Sequence, residues 1–468
     1  MSEHIKHNCG LFGVWGSRDA VERVYWGLYA LQHRGEESAG IASTDGKEII
    51  GHKEMGLVTD VFDRRTLTEL ANPAAAGHVR YSTFGVSTVL NAQPLIVNYA
   101  GGSIAIAHNG NLINARTLRD HYEKAGSIFQ TMCDSEVIAH IMAKTSPRRG
   151  RLKHCLNTIR GAFSLLLLTP TEMIGVRDRN GFRPLCLGRT DDGGHVIASE
   201  SSALPPTGAN FVREIRPGEV VRISRRGIRN YFFCDPKSIR PHHCIFEHIY
   251  FARPSSVIFG DTVHDVRLRL GAALARAHPV DADVVISVPD SGNSAAMGYS
   301  QESGIPLDRG LVRNHYVGRT FIQPYQVQRE QAVRIKLSAV ESVLRGKRIV
   351  VVEDSIVRGT TIRNIIKYLW DARPKEIHLR VTCPPIISPC FYGINFPTRA
   401  ELLAASRTPE QTVRYLNLTS LGHLGIDDML KCVSNPAGQY CTSCFTGRYP
   451  VRTGELTTRL KKEKPGQR

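Results

Sequence analysis

The run Ile349–Thr361, IVVVEDSIVRGTT, decides how the second half of this chain is built. Its first four residues are β-branched and unbroken by any polar group, the pattern of a strand covered on both faces. An acidic pair, Glu353 and Asp354, closes the strand; a small hydroxyl-bearing loop follows, and Ile362–Trp370 then reads as a helix. Strand, loop and helix in that order set backbone amides and a helix N-terminus beside two carboxylates. Such a cradle suits a ribose 5-phosphate. The acids accept from two ribose hydroxyls, while the loop Ser355, Ile356, Val357, Arg358, Gly359, Thr360 and Thr361 surrounds the phosphate with donors.

The same grammar extends to either side. Val284–Val288 is an apolar run followed by PDSGNS and a helical stretch from Ala295, and Ile377–Val381 is a further strand. Strand–loop–helix units in series predict a parallel sheet with crossover helices. Before Asp281 the pattern differs. Short runs such as Ser103–Ala107, Phe163–Leu168 and His195–Ala198 alternate with Gly, Asn and Pro turns, which predicts many strands and few helices. The helix candidates there are Ala20–Gln32 and Asp134–Ala143, the second with Asp134 as its N-cap. The Arg/Pro-rich stretch Arg213–Arg240 reads as the join. The resulting division is residues 1–8, a first domain over 9–235, a second over 236–452, and a basic tail over 453–468.

Composition narrows the class. Of 468 residues, 42% are hydrophobic and 22% charged, which suits a folded chain with a sizeable core. No apolar run approaches the ~20 residues of a membrane helix, and Met1–Val14 has no secretory pattern; a cytoplasmic enzyme is expected, with no membrane partner. Lys and Arg (60) exceed Asp and Glu (43), for a net charge of +17. They are dispersed, with runs only at Pro147–Lys153 and Arg459–Lys464, and no helix-turn-helix, zinc-finger or aromatic RNA-binding pattern accompanies them. Anionic metabolites rather than nucleic acid are the expected partners. Eleven cysteines in a chain of this kind point to catalysis or metal more than to disulfides.

Cys9 lies in NCGLFGVWG, and LQHRGEESAGI (Leu31–Ile41), GHVRYSTFG (Gly77–Gly85), AHNGNLIN (Ala107–Asn114) and CDSEVI (Cys133–Ile138) follow in order. Together these segments resemble the class II glutamine amidotransferases and, most closely, the amidophosphoribosyltransferases; EDSIVRGTT resembles the signature of type I phosphoribosyltransferases in the wording of that branch. The likeness runs from Cys9 to about Arg452. It implies an α+β N-terminal-nucleophile hydrolase sandwich of αββα layers, followed by an α/β phosphoribosyltransferase domain with a parallel sheet. By the same resemblance Met1–Asn8 is a propeptide, and Cys9, freed as the first residue, attacks the side-chain amide of glutamine with its own α-amine (pKa ~8) as base. Asn109 and Gly110 form the oxyanion hole, Arg80 holds the substrate α-carboxylate and Asp134 its ammonium group.

In the second half the likeness makes VPDSGNSAA (Val288–Ala296) the pyrophosphate and Mg²⁺ loop, with Ser291, Glu353 and Asp354 near one Mg²⁺ per subunit. RNHYVGRTFIQP (Arg313–Pro324) becomes a flap over the sugar, in which Arg313 binds phosphoribosyl pyrophosphate (PRPP). The implied reaction converts glutamine, PRPP and water to 5-phosphoribosylamine, glutamate and pyrophosphate, the first step of purine synthesis. Four positions depart from the usual pattern: Glu36 replaces Gln, Glu353 replaces Asp, and Arg313 and His315 replace Lys and Arg.

Cys441 and Cys444 form a CxxC, which alone serves zinc sites, redox dithiols or clusters. With Cys390 in SPCFYGI and Cys244 in HCIFEHIYFARP, the set resembles the iron–sulfur branch of the family, implying one [4Fe–4S] cluster per subunit held by Cys244, Cys390, Cys441 and Cys444, with zinc or free thiols as alternatives. A homo-oligomer, tetrameric by analogy, and purine nucleotide inhibitors are also implied. The rivals are another class II amidotransferase, which EDSIVRGTT disfavours, and a PRPP-binding regulator acting on nucleic acid, which has no use for Cys9, Arg80 and Asn109 together.

Overall fold

In the first strand, Gly10–Trp15 (β1), Leu11 and Trp15 join one buried cluster and Phe12 and Val14 another, so both faces of the strand are covered. The structure, a computed structural model, describes residues 9–81, 88–314, 337–396, 398–452, 454, 456 and 458. Met1–Asn8, His315 with most of the flap, and most of the tail lie outside these residues. After β1 come Ser38–Thr44 (β2), Ile49–Met55 (β3), Ala74–Arg80 (β4), Leu95–Tyr99 (β5), Gly102–Leu112 (β6) and Gly161–Leu168 (β7). Glu172–Arg177 (β8), Cys186–Thr190 (β9), His195–Ala198 (β10), Ala209–Glu214 (β11), Glu219–Ser224 (β12) and Gly227–Phe232 (β13) complete the first half.

These strands form two antiparallel sheets, ordered β11-β9-β10-β1-β4-β2-β3 and β13-β12-β8-β7-β6-β5. The run Leu165–Leu168 shows why they stack. Leu166 and Leu168 meet Leu11, Trp15, Ala74 and Ala76 of the facing sheet, while Leu165 and Leu167 turn to Ile138 and Ile141 on the helix Glu136–Lys144. The helix Ala20–Ala30 covers the other outer face through Val24 and Leu28. Helix, sheet, sheet, helix is the expected αββα sandwich.

Two expectations change. Residues 219–232 are an antiparallel hairpin of the second sheet, not a join: β12 buries Val220, Val221 and Ile223, and β13, which carries Arg229, is the exposed edge strand. The second helix starts at Glu136 rather than Asp134, since the Asp134 carboxylate is used elsewhere.

His243–Cys244 (β14) opens the second half, followed by a small hairpin of Val257–Ile258 (β15) and Asp261–Thr262 (β16). Val284–Ser287 (β17), Arg348–Glu353 (β20), Glu376–Val381 (β21) and Ser420–His423 (β22) form a parallel sheet in the order β17-β20-β21-β22. Between them Leu311–Arg313 (β18) and Leu337–Ala339 (β19) pair as the stem of the flap, and Tyr440–Cys441 (β23) ends the series beside β14. The helices Val263–Ala277, Asn293–Ser303 and Thr360–Asp371 cover the sheet, and the loops after β17 and β20 open at its C-terminal edge, where such sheets bind ligands.

His78 on β4 is fully buried, its Nε2–H donating to the His108 carbonyl at 3.1 Å, and burial pushes its imidazole down from 6.5 to about 3. Below the unfolded value the unfolded chain takes up a proton that the fold excludes. Stability from this group is therefore complete above about pH 6.5 and drains as pH falls toward 3, at up to ~1.4 kcal/mol per pH unit. In His78→Gln, which keeps a donor for the His108 carbonyl, the urea midpoint should fall less steeply between pH 6.5 and 4 than in the parent chain; equal slopes would show a ring that is already charged in the fold.

Candidate active site

Cys9 enters β1 at the buried end of the seven-stranded sheet, where β1 pairs with β4. Its thiol lies 3.9 Å from the Tyr81 carbonyl, and its own carbonyl accepts from Arg34 Nε at 3.3 Å. Burial pushes the Cys9 thiol up, against the Tyr81 backbone and the nearby Arg80 and Arg34 charges; Asp134 adds to the rise. Arg80 ends β4 and is buried. Thus Arg80 and Asp134, far from Cys9 in sequence, lie near enough for their charges to act on its thiol.

Strand β6 brings the next two residues. Asn109 is wholly buried, and among the described residues neither atom of its side-chain amide has a hydrogen-bond partner. Leaving such a group unsatisfied costs ~1–3 kcal/mol, which the fold tolerates where a ligand will use it. Gly110 has φ +147°, and a Cβ there would stand 2.0 Å from the Ala162 carbonyl oxygen, so only glycine fits. Asp134 Oδ2 accepts from Leu112 N–H at 2.9 Å, and Oδ1 lies 3.7 Å from His108 Nδ1. Although burial opposes it, His108 and these hydrogen bonds hold Asp134 below the usual carboxylate range, so it stays ionised.

At the edge of the parallel sheet Glu353 and Asp354 are both buried. Ser291 and Ser355 each donate to the Asp354 carboxylate, which brings the loop after β17 onto the loop after β20. Burial raises both acids, and their mutual repulsion raises Glu353 further. Gly359 adopts φ +82° to launch the helix Thr360–Asp371, and its carbon packs so close to Leu403 that a Cβ would meet it at 2.7 Å. Arg358 pairs with Glu401 at 3.0 Å instead of turning into the cradle. Arg313, at the end of β18, pairs with Asp290, so the flap stem and the loop after β17 meet.

The four cysteines converge. Cys244 and Cys441 are partners in the parallel pair β14–β23, and the Cys444 carbonyl accepts from Ile387 and Ser388 N–H, both at 3.0 Å, next to Cys390. All are free thiols raised by burial, Cys244 to about 12 and Cys441 to about 11; Cys244 is raised further by Cys441 and Cys390, and Cys444 by Cys390, Cys441 and Cys244. Among the described residues no group of three or more His, Cys, Asp or Glu is arranged to hold a single metal ion. The other cysteines, Cys133, Cys155, Cys186, Cys234, Cys383 and Cys432, are also free, and all but Cys234 are buried.

A glutamine amidotransferase domain profile matches residues 78–206, and a phosphoribosyl transferase domain profile matches residues 271–388. The amidophosphoribosyltransferase of Methanocaldococcus jannaschii is 46% identical over 465 residues, covering 95% of this chain and 98% of that protein, and the one from Bacillus subtilis is 45% identical over 455 residues, covering 96% and 95%. The chain belongs to the amidophosphoribosyltransferase family. The solved B. subtilis glutamine PRPP amidotransferase, complexed with ADP and GMP, superposes with TM-score 0.89 at 45% identity, covering 95% of this chain and 98% of that one. A second solved structure, described as the allosteric regulatory enzyme of purine biosynthesis, gives TM-score 0.90 at 45% identity, with 95% and 96% covered.

In this amidophosphoribosyltransferase fold the two halves touch at the oxyanion strand itself. Asn111 Nδ2 donates to the Phe391 carbonyl at 2.9 Å, and Gly393 packs against Gly110 so closely that a Cβ on Gly393 would stand 3.0 Å from the Gly110 carbonyl carbon. Sequence reading missed His108, whose Nδ1 meets Ser135 Oγ at 2.9 Å beside Asp134, and it missed Arg34. Both stand inside quoted motifs; their signal was polarity at positions whose neighbours are buried. For the oxyanion-donor role expected of Asn109, Asn109→Ala should lower the kcat of glutamine hydrolysis about 100-fold or more while leaving turnover with added ammonia unchanged, as measured by steady-state glutamate and pyrophosphate release. Parallel losses in both would remove Asn109 from that role.

Proposed function

We propose that this chain performs the amidophosphoribosyltransferase reaction, the first step of purine synthesis, by making ammonia at Cys9 and spending it on PRPP at the Glu353–Asp354 loop. The observation that carries the reading is a buried Cys9 thiol that feels the charges of Arg80 and an ionised Asp134, together with a buried Asn109 amide that has no hydrogen-bond partner among the described residues. Removal of Met1–Asn8 frees the Cys9 α-amine, whose pKa near ~8 lets it accept the thiol proton. The sulfur attacks the side-chain amide carbon of glutamine; Asn109 and Gly110 stabilise the oxyanion; collapse expels ammonia and leaves a glutamyl thioester. Water then cleaves the thioester to glutamate. Arg80 and Asp134 hold the two charged ends of the substrate α-carbon, which excludes amides lacking them.

In the other half Glu353 and Asp354 accept from the ribose hydroxyls, and the loop Ser355–Thr361 with the helix start holds the 5-phosphate. Ser291, Glu353 and Asp354 would hold the Mg²⁺. Their fit is that of an ion shared with substrate: two buried, repelling carboxylates and a hydroxyl attract a cation without caging it. When bound, that ion neutralises charge on the departing pyrophosphate. Arg313, tied to Asp290, stands at the flap stem, ready to bind the pyrophosphate. Ammonia attacks the anomeric carbon as pyrophosphate leaves, and exclusion of water protects that carbon from hydrolysis.

We read Cys244, Cys390, Cys441 and Cys444 as the thiolates of a [4Fe–4S] cluster with a structural role. The set offers four sulfur donors from three parts of the chain, Cys244 beside Cys441 in the β14–β23 pair and Cys444 hydrogen-bonded to the segment that leads to Cys390, and such donors would suit a cluster held by four thiolates. Purine nucleotides as inhibitors and a tetrameric assembly belong to the same reading. Two measurements test it. Anaerobic protein should release glutamate in a PRPP- and Mg²⁺-dependent way, and Cys9→Ala should lose this while keeping ammonia-dependent turnover; no release from correctly trimmed protein would move the weight to a PRPP-binding regulator. Iron and sulfide at about four each per chain, lost in Cys441→Ser, should accompany it, whereas stoichiometric zinc would overturn the cluster.

A further inference from the structure

HCIFEHIYFARP contributes more than Cys244. Glu247 opens the short π-helical turn Glu247–Phe251 and is fully buried. Its two carboxylate oxygens accept from Arg34 Nη2 at 2.8 and 2.9 Å, and Oε1 also accepts from Arg183 Nη1 at 3.1 Å. None of the three side chains reaches solvent. The two guanidiniums then diverge. Arg34 Nε donates to the Cys9 carbonyl, and Arg34 Nη1 to Glu200; Arg183 Nη2 donates to the Tyr392 carbonyl at 2.8 Å, in the loop that carries Cys390 and presses Gly393 on Gly110.

Resting on the reading of Cys9 as nucleophile, we propose that Glu247, from the phosphoribosyltransferase half, is a positioning residue for the glutamine reaction: one carboxylate sets both the backbone of the nucleophile and the loop that backs the oxyanion strand. The chemistry needs those two parts in register, because the oxyanion forms between the sulfur and the Asn109 amide, and misplacement by about 1 Å costs ~100-fold. Arginine forks on a shared carboxylate fix direction as well as distance. A buried ion set is a poor device for stability alone, since apolar packing of the same volume does as well or better. Arg267, donating to the His248 and Ala252 carbonyls at 2.8 and 3.0 Å, anchors the same turn to the helix Val263–Ala277. The carboxylate is therefore held by the half that binds PRPP.

The test uses the full chain, prepared anaerobically, with Cys9→Ala as the control that identifies the nucleophile. Glu247→Gln strands two buried guanidiniums and can fail to fold, so Glu247→Asp carries the weight: it keeps the charge and withdraws the carboxylate by about one methylene. Glu247→Asp should lower the kcat for glutamine at least about 10-fold, with KM for glutamine within about 3-fold and ammonia-dependent turnover within about 2-fold of the parent. Parent-like glutamine kcat in Glu247→Asp would overturn the proposal, as would equal losses with glutamine and with ammonia, which would mark Glu247 as a merely structural charge. A parent chain whose glutamine turnover survives Cys9→Ala would instead overturn the functional reading on which this rests.

Discussion

A guanidinium buried beyond the reach of water cannot shed its charge, so the fold must surround it with acceptors, and carboxylates are the strongest of these. Arg34 is in this position. Its burial is offset by Glu247 and Glu200, which raise it above its ordinary range, and Glu200 is itself held well below the carboxylate range, despite burial, by His33 and Arg34. Glu200 belongs to the first half and Glu247 to the second, so the Arg34 site is complete only when the halves are docked. Much of the rest depends on that docking: the backbone at Cys9, the seat of the Arg253–Ser256 turn on Glu200, and the loop behind Gly110.

The two halves solve opposite electrostatic problems. Near Cys9 the first half buries an ionised Asp134 and, on β6, an Asn109 amide that has no hydrogen-bond partner among the described residues, fixed dipoles and charge of the kind that suit a zwitterionic ligand and a transient negative charge. Around Glu353 and Asp354 the second half must receive a polyanion, yet it offers two acids. Burial and mutual repulsion disfavour the doubly charged pair, so a cation or hydroxyl donors brought beside it would relieve that repulsion. Basic residues stand farther out, Arg313 on the flap stem and Arg267 buried beneath Asp354, lowered to about 10 by burial. The net charge of +17 thus reflects a dispersed field around an anionic substrate and needs no nucleic acid to explain it.

The parallel sheet was legible because its strands are uninterrupted apolar runs: Ile349–Val352 and Ile377–Val381 fall within β20 and β21. The sandwich was legible from turns and alternation, and His195–Ala198 matches β10 residue for residue. What failed did so for physical reasons. Asp134 has the chemistry of an N-cap, but a tertiary partner, Leu112 N–H, outbid the helix for its oxygen. Residues 219–232 look like a linker because the outer faces of an edge hairpin are as polar as a loop. Arg358 sits within the phosphate signature yet pairs with Glu401, a partner 43 residues away that spacing cannot reveal. For the same reason Glu247 was invisible: a lone carboxylate between aromatic residues acquires its meaning only from Arg34 and Arg183.

The C-terminal segment explains why both sites belong to one fold and not to two modules joined by a tether. Tyr392 hydroxyl donates to the Val451 carbonyl at 2.7 Å, Tyr449 hydroxyl donates to the Pro389 carbonyl at 2.7 Å, and β23 adds its strand to β14. These contacts clamp the loop Pro389–Gly393 from one side, while Arg183, Asn111 and the stacked ring of Phe182, 4.3 Å from Tyr392, hold it from the other. The loop that backs Gly110 on β6 is thus fixed by residues of the C-terminal segment, Tyr449 and Val451. The sandwich alone lacks Glu247, Tyr392 and Gly393, which all come from the second half. The surroundings of Cys9 and Gly110 are therefore built from both halves, which ties the geometry of the first sheet to the docking of the second.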